Sequence, residues 1–112
     1  MSTTFSGPIV STGGFTAGSG LKLTAVLGAS AALNFASIAT TASEDLTITV
    51  AGAAVNDAVS LGLPAAPTAG LVFNAFVSAT NTVTVRASNI TGSAVDAASA
   101  TYSVVVTQVA AA

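Results

Sequence analysis

All the formal charge in this chain sits on Lys22, Glu44, Asp45, Asp57, Arg86 and Asp96, and there is no histidine, cysteine or tryptophan. Without an imidazole, the many serines have no base to activate them as nucleophiles. Without thiolates there is no disulfide framework and no Cys/His metal site. A glycosidase-type pair needs two carboxyl groups across a cleft, one of them with a raised pKa. The spacing here sets no two acids that way, and strand alternation sends the adjacent Glu44 and Asp45 to opposite faces. Calcium would need several clustered oxygen ligands, and Glu44-Asp45 and Asn56-Asp57 are too sparse to supply them. Gly18-Ser19-Gly20 lacks the preceding strand and the third glycine of a dinucleotide loop. The sequence therefore predicts no catalytic, cofactor-binding or metal-ligating residue, and a protein that is not an enzyme.

The ions that remain are candidates for holding surfaces together. Arg86 is the single guanidinium, and in so neutral a chain it calls for a dedicated carboxylate. Asp57, Asp96 or an acid on a neighbouring subunit could serve, and Lys22 could close a similar contact. Arg86, Lys22, Asp57 and Asp96 are thus the expected inter-subunit ion-pair residues. Asn89-Ile90-Thr91 has the form of a glycosylation acceptor but carries little meaning without a secretory signal.

Only 5% of the 112 residues are charged while 52% are hydrophobic, and the net charge is −2. A domain normally carries about 25% charged residues. Two basic groups cannot neutralise a phosphate backbone or form a basic membrane-surface helix, so neither nucleic acid nor membrane is an expected partner. Disorder over the whole chain is excluded by high hydrophobicity and low charge. The opening residues lack a basic n-region, so no Sec signal is expected. The uncharged runs 23–43 and 58–85 are interrupted by Ser, Thr, Asn, Gly and Pro and do not read as membrane spans. Isolated soluble domains generally rely on a mixed charged surface. A surface of Ser, Thr, Ala, Gly and Asn implies that much of it is covered by protein in the working state.

Period-two patterning marks the elements that would carry such a surface. It runs through Leu21–Val26, Ala31–Ile38, Leu46–Val50, Ala58–Leu63, Leu71–Val77, Thr82–Ser88 and Tyr102–Thr107. Gly28, 39–44, 51–57, Pro64–Gly70, 79–81 and 89–100 punctuate these runs, with a short helical turn possible in Ala94–Ala100. Alanine favours helix, but no sustained helical periodicity accompanies it. The expected fold is all-β: a small antiparallel β-sandwich, jelly-roll or immunoglobulin-like, spanning 21–112. Residues 1–20 hold Gly7, Gly13, Gly14, Gly18 and Gly20 and only scattered apolar side chains. They read as an extended N-terminal arm ordered by contact, with Phe5, Pro8, Ile9, Val10 and Phe15 as its partner-binding residues.

Two groups of residues carry a family resemblance. The arm, Phe5-Ser6-Gly7-Pro8-Ile9-Val10-Ser11-Thr12-Gly13-Gly14-Phe15, resembles the openings of some tailed-phage virion proteins. The stretch 33–106 resembles a small β-rich module of phage structural proteins. Its pieces are Leu33-Asn34-Phe35-Ala36-Ser37-Ile38, Leu46-Thr47-Ile48-Thr49-Val50-Ala51-Gly52-Ala53, Asn56-Asp57-Ala58-Val59, Thr82-Val83-Thr84-Val85-Arg86, Asn89-Ile90-Thr91-Gly92, and Val95-Asp96 with Ser99-Ala100-Thr101-Tyr102. The resemblance implies a virion structural protein made in the host cytoplasm. An arm with one module suits a capsid decoration (cement) protein on the capsid surface. Its implied partners are the major capsid protein and itself, as a symmetric homo-oligomer, a trimer before a dimer. No cofactor and no catalytic residue come with the family. The alternative is a tail or head fibre module contacting a host receptor or carbohydrate. The aromatic residues mostly take inward strand positions, which counts against the exposed platforms of a carbohydrate site.

Overall fold

A computed structural model describes residues 4 and 6–110. The described chain is all-β and antiparallel. Its strands are β1 (Phe15–Thr16), β2 (Lys22–Leu33), β3 (Ser43–Thr49), β4 (Ala58–Gly62), β5 (Leu71–Ala79), β6 (Thr82–Asn89) and β7 (Ala100–Ala110). They form two sheets, a four-stranded one in the order β1-β2-β7-β4 and a three-stranded one in the order β3-β6-β5. The β3–β6 pair is nested in sequence inside the β2–β7 pair, so each sheet is completed by segments far apart in the chain.

Burial alternates along the strands as the period-two pattern requires. Tyr102, Val104 and Val106 of β7 point inward and meet Val83, Val85 and Ala87 of β6, all at most 2% exposed. Burying a side chain of this kind contributes about 1.5–3 kcal/mol relative to leaving it in water. One end of the core is aromatic. Phe35 stands edge-on to Tyr102 (5.9 Å, 79°) and to Phe73 (6.0 Å, 64°), the arrangement favoured by ring quadrupoles. Burial pushes the Tyr102 hydroxyl above the ordinary tyrosine range.

The structure corrects three local expectations. Gly28 does not separate two strands: β2 runs unbroken from Lys22 to Leu33, with Gly28 paired opposite Val105. One glycine in a long ladder with a committed partner weakens the strand without ending it. The Ala31–Ile38 run stops being a strand at Leu33, and Ile38 instead forms an isolated bridge with Val95. Val95 lies in that bridge, and residues 94–99 form no helical turn. Among the described residues, no helix is long and apolar enough to cross a membrane.

Polar side chains close the ends of the sandwich. Asn89 is 2% exposed and fully used. Its amide nitrogen donates to the Ile38 and Ser93 carbonyls at 2.9 and 2.8 Å, and its oxygen accepts the Thr91 N–H at 2.8 Å. That nitrogen is committed to the fold and is not offered to a glycan. At the other end, Gly52 (φ 92°) and Asn81 (φ 63°) take left-handed turn conformations. The Gly52 N–H donates to Asn81 Oδ1 at 2.8 Å, joining the β3–β4 connection to the β5–β6 hairpin.

Candidate interaction surface

The two outer faces of the sandwich differ in chemistry. On the three-stranded sheet, the ladder sets Asp45, Arg86 and Asn74 in one row. Arg86 donates to both Asp45 carboxylate oxygens, at 2.8 and 3.0 Å, and lies 5.1 Å above the Phe76 ring. The Arg86 hydrogen bond, with its charge, holds the Asp45 carboxyl below the usual carboxylate range. The Arg86 guanidinium is raised in turn by Asp45. Neighbouring hydroxyls are also bonded to each other, Thr84 to Ser78 at 2.6 Å and Ser43 to Ser88 at 2.8 Å.

The outer face of the four-stranded sheet carries no charge. Its cross-strand rows are Val26–Thr107–Ala58, Gly28–Val105–Ser60 and Ser30–Ser103–Gly62, followed by Ala32–Thr101. Val26 is 60% exposed and Val105 41%, with the exposed Val109 at one end. None of the side-chain hydrogen bonds among the described residues involves a side chain of these rows. Beside this face, β1 adds to the edge of β2 through the pairs Phe15↔Leu23 and Thr16↔Lys22. Ile9, Ser11, Gly14 and Phe15 line a shallow groove of about 310 Å³ against residues 23–26. Ile9, Val10 and Phe15 are all more than 60% exposed. Pro8 is also exposed, and Phe5 lies outside the described residues.

The remaining expected site residues fall apart in space. The Asp57 carboxylate accepts the Ala54 N–H at 2.9 Å and the Gln108 side-chain amide at 2.8 Å. Gln108 also donates to the Gly52 carbonyl at 2.8 Å, so Asp57 fastens a turn to β7. Arg86 finds its partner in Asp45, not in Asp57 or Asp96, because the β3–β6 register places the two directly opposite. Lys22 lies at the start of β2, and Asp96 is exposed in the β6–β7 connection. Among the described residues neither makes a salt bridge. Glu44 faces inward beside Ala87, and its Oε2 is buried without a hydrogen-bond partner. No group of three His, Cys, Asp or Glu side chains gathers among the described residues.

Sequence reasoning missed Asn89 as a structural residue, although an asparagine ending an apolar strand was a readable hint of side-chain bonding to backbone. It also missed the chargeless face as a unit, since its rows draw on three segments separated in the chain. No known protein family, curated protein or solved structure matches the chain.

Proposed function

We propose that this chain is a non-enzymatic decoration (cement) protein of a tailed-phage capsid. It works as a symmetric homo-oligomer that bridges major capsid subunits through its chargeless sheet face and its N-terminal arm. The observation that carries the reading is the uncharged, side-chain-unbonded outer face of β2-β7-β4 beside an arm that exposes Ile9, Val10 and Phe15. The resemblance of the arm and of 33–106 to phage virion proteins supplies the class of partner.

Such a face suits a clamp. Covering 100 Å² of apolar surface contributes about 2.5 kcal/mol before ordering costs. Repetition over a symmetric shell turns modest contacts into firm attachment. The test is to add purified chain to expanded shells stripped of decoration and to measure co-sedimentation and heat resistance. Full-length chain should bind and raise the disruption temperature. A chain lacking residues 1–14 should fold with the same β-rich circular dichroism and bind more weakly. Shells that neither capture the full-length chain nor gain heat resistance would refute the proposal, as would glycan binding by the isolated chain with no affinity for shells.

A further inference from the structure

The open edge of β2 is a second feature, distinct from the sheet face. One side of β2 pairs with β7 along its whole length. On the other side β1 covers only Lys22 and Leu23. Residues 25–33, Ala-Val-Leu-Gly-Ala-Ser-Ala-Ala-Leu, have no backbone partner on that side among the described residues. The chain's own arm does not continue along the edge. Its ladder stops at Phe15: Gly14 takes φ 89°, the Ser11 hydroxyl donates to the Gly14 carbonyl at 2.7 Å, and Ile9 and Ser11 face residues 23–26 only across the shallow groove, so a strand laid on the edge at Ala25 and Val26 shares that groove with the arm. A Cβ at Gly14 would sit 2.6 Å from the Leu23 carbonyl, so only glycine lets the chain leave there.

Long exposed edges are normally blunted by lysine, proline, bulges or brevity, because their free N–H and C=O groups recruit other strands. The other edges of this sandwich are blunted. β3 carries Glu44 and Asp45, β4 is five residues long between Asp57 and Pro64, and β5 is bulged between Val77 and Ala79. β2 has a lysine and a bulge as well, Lys22 and the register shift between Leu23 and Ala25, but both lie before residue 25, and the nine residues from Ala25 to Leu33 carry none of these devices.

We infer that this edge pairs with the same edge of a second copy, antiparallel about a two-fold axis at Ala29. The evidence is its self-complementarity. Centred on Ala29, the register pairs Ala25 with Leu33, Val26 with Ala32, Leu27 with Ala31, Gly28 with Ser30, and Ala29 with itself. Every large side chain meets a small one on both faces of the merged sheet. The ends fit as well: β1 begins to occupy the edge at Leu23, and the partner's strand ends at Leu33, opposite Ala25. The same operation on β5 would set Phe73 against Val77 and Asn74 against Phe76. A two-fold edge pairing is isologous and closes at two copies, unlike the trimer that the family resemblance implies. It merges two four-stranded sheets into one, and joins their chargeless faces into a single surface. The inference does not depend on the capsid reading.

Paired charges at the crossing test it. Gly28 and Ser30 both point outward, and a Cβ at Gly28 meets nothing closer than the Val104 carbonyl at 3.6 Å, an ordinary contact. In the double variant G28K/S30K the register sets lysine opposite lysine twice. In G28E/S30K it sets glutamate opposite lysine twice. Like charges directly opposite on adjacent strands repel and opposite charges attract. Sedimentation equilibrium of the full chain should show a dimer for the wild type and for G28E/S30K. G28K/S30K should dissociate at about tenfold or more higher concentration, with unchanged circular dichroism. A wild-type chain that stays monomeric at high concentration overturns the inference, whatever shells do. So does a dimer equally strong in both double variants.

Discussion

The two outer faces are made from the same residue types in different company. On the three-stranded sheet, Asp45, Arg86 and Phe76 form a closed set, and the Thr84–Ser78 and Ser43–Ser88 hydroxyls bond to each other. On the four-stranded sheet, Thr107, Ser60, Ser30, Ser103 and Thr101 stand among Val26, Val105, Ala58 and Ala32 with no side-chain bonds to one another. On the first face most polar groups bond one another, leaving Asn74, Thr47 and Thr49 as those without a side-chain hydrogen bond among the described residues. A face whose hydroxyls are bonded only to water has donors and acceptors free for a partner, and covering it together with its valines is favourable where that partner supplies matching polar groups.

Both faces rest on one core, so the largest effect should ignore the difference between them. Phe35→Ala removes the ring that stands edge-on to Phe73 of one sheet and Tyr102 of the other. It should cost about 3–5 kcal/mol in denaturant unfolding. Fluorescence and far-ultraviolet circular dichroism should report coincident transitions, and separate transitions would mean that the sheets unfold independently. Asn89→Ala comes next. Stripping the partner from the Ile38 and Ser93 carbonyls and the Thr91 N–H should cost about 1–3 kcal/mol. The amides of Ile38 and Val95, which bond across the bridge, should then exchange faster by hydrogen-exchange mass spectrometry.

A matched pair of exposed valines sharpens the comparison itself. Val105→Lys on the chargeless face and Val72→Lys on the other should each change stability by less than about 0.5 kcal/mol. Only Val105→Lys should weaken capture by shells, and equal losses would erase the distinction between the faces. The smallest effect belongs to Asp45→Asn. The Asp45 pKa is depressed in the folded state, so its contribution is present above the ordinary carboxylate pKa and fades as pH falls through the lowered value. Urea unfolding at neutral and strongly acidic pH should show a slightly smaller acid-induced loss in the variant. Because the pair is solvent-exposed, added salt should shrink that difference further.

Much of this was legible before any coordinates. The Leu46–Val50, Leu71–Val77, Thr82–Ser88 and Tyr102–Thr107 alternations each became a strand with the expected inner face. The opposite directions of Glu44 and Asp45 followed from the same rule. Partnerships were not legible, because they depend on register between distant segments. Arg86 meets Asp45 only because β3 and β6 pair with Asp45 opposite Arg86, and no local pattern encodes that offset. Gly28 was misread for a related reason: glycine breaks strands on average, but β7 supplies a full ladder that carries β2 across it. The chargeless face was visible only as a composition, and it became a place once three strands aligned.

The nested pairing also dictates when the fold can form. β7, residues 100–110, is the central partner that both β2 and β4 need. A nascent chain emerging from the ribosome therefore holds β2 and β4 without their shared neighbour until nearly all of the described sequence has been synthesised. Such non-local closure is slow, and it leaves strand edges exposed while it waits. The sandwich accordingly closes only once β7 has been made, and a chain cut short before residue 100 lacks the strand that joins β2 to β4 and gives a species prone to aggregate rather than a smaller domain.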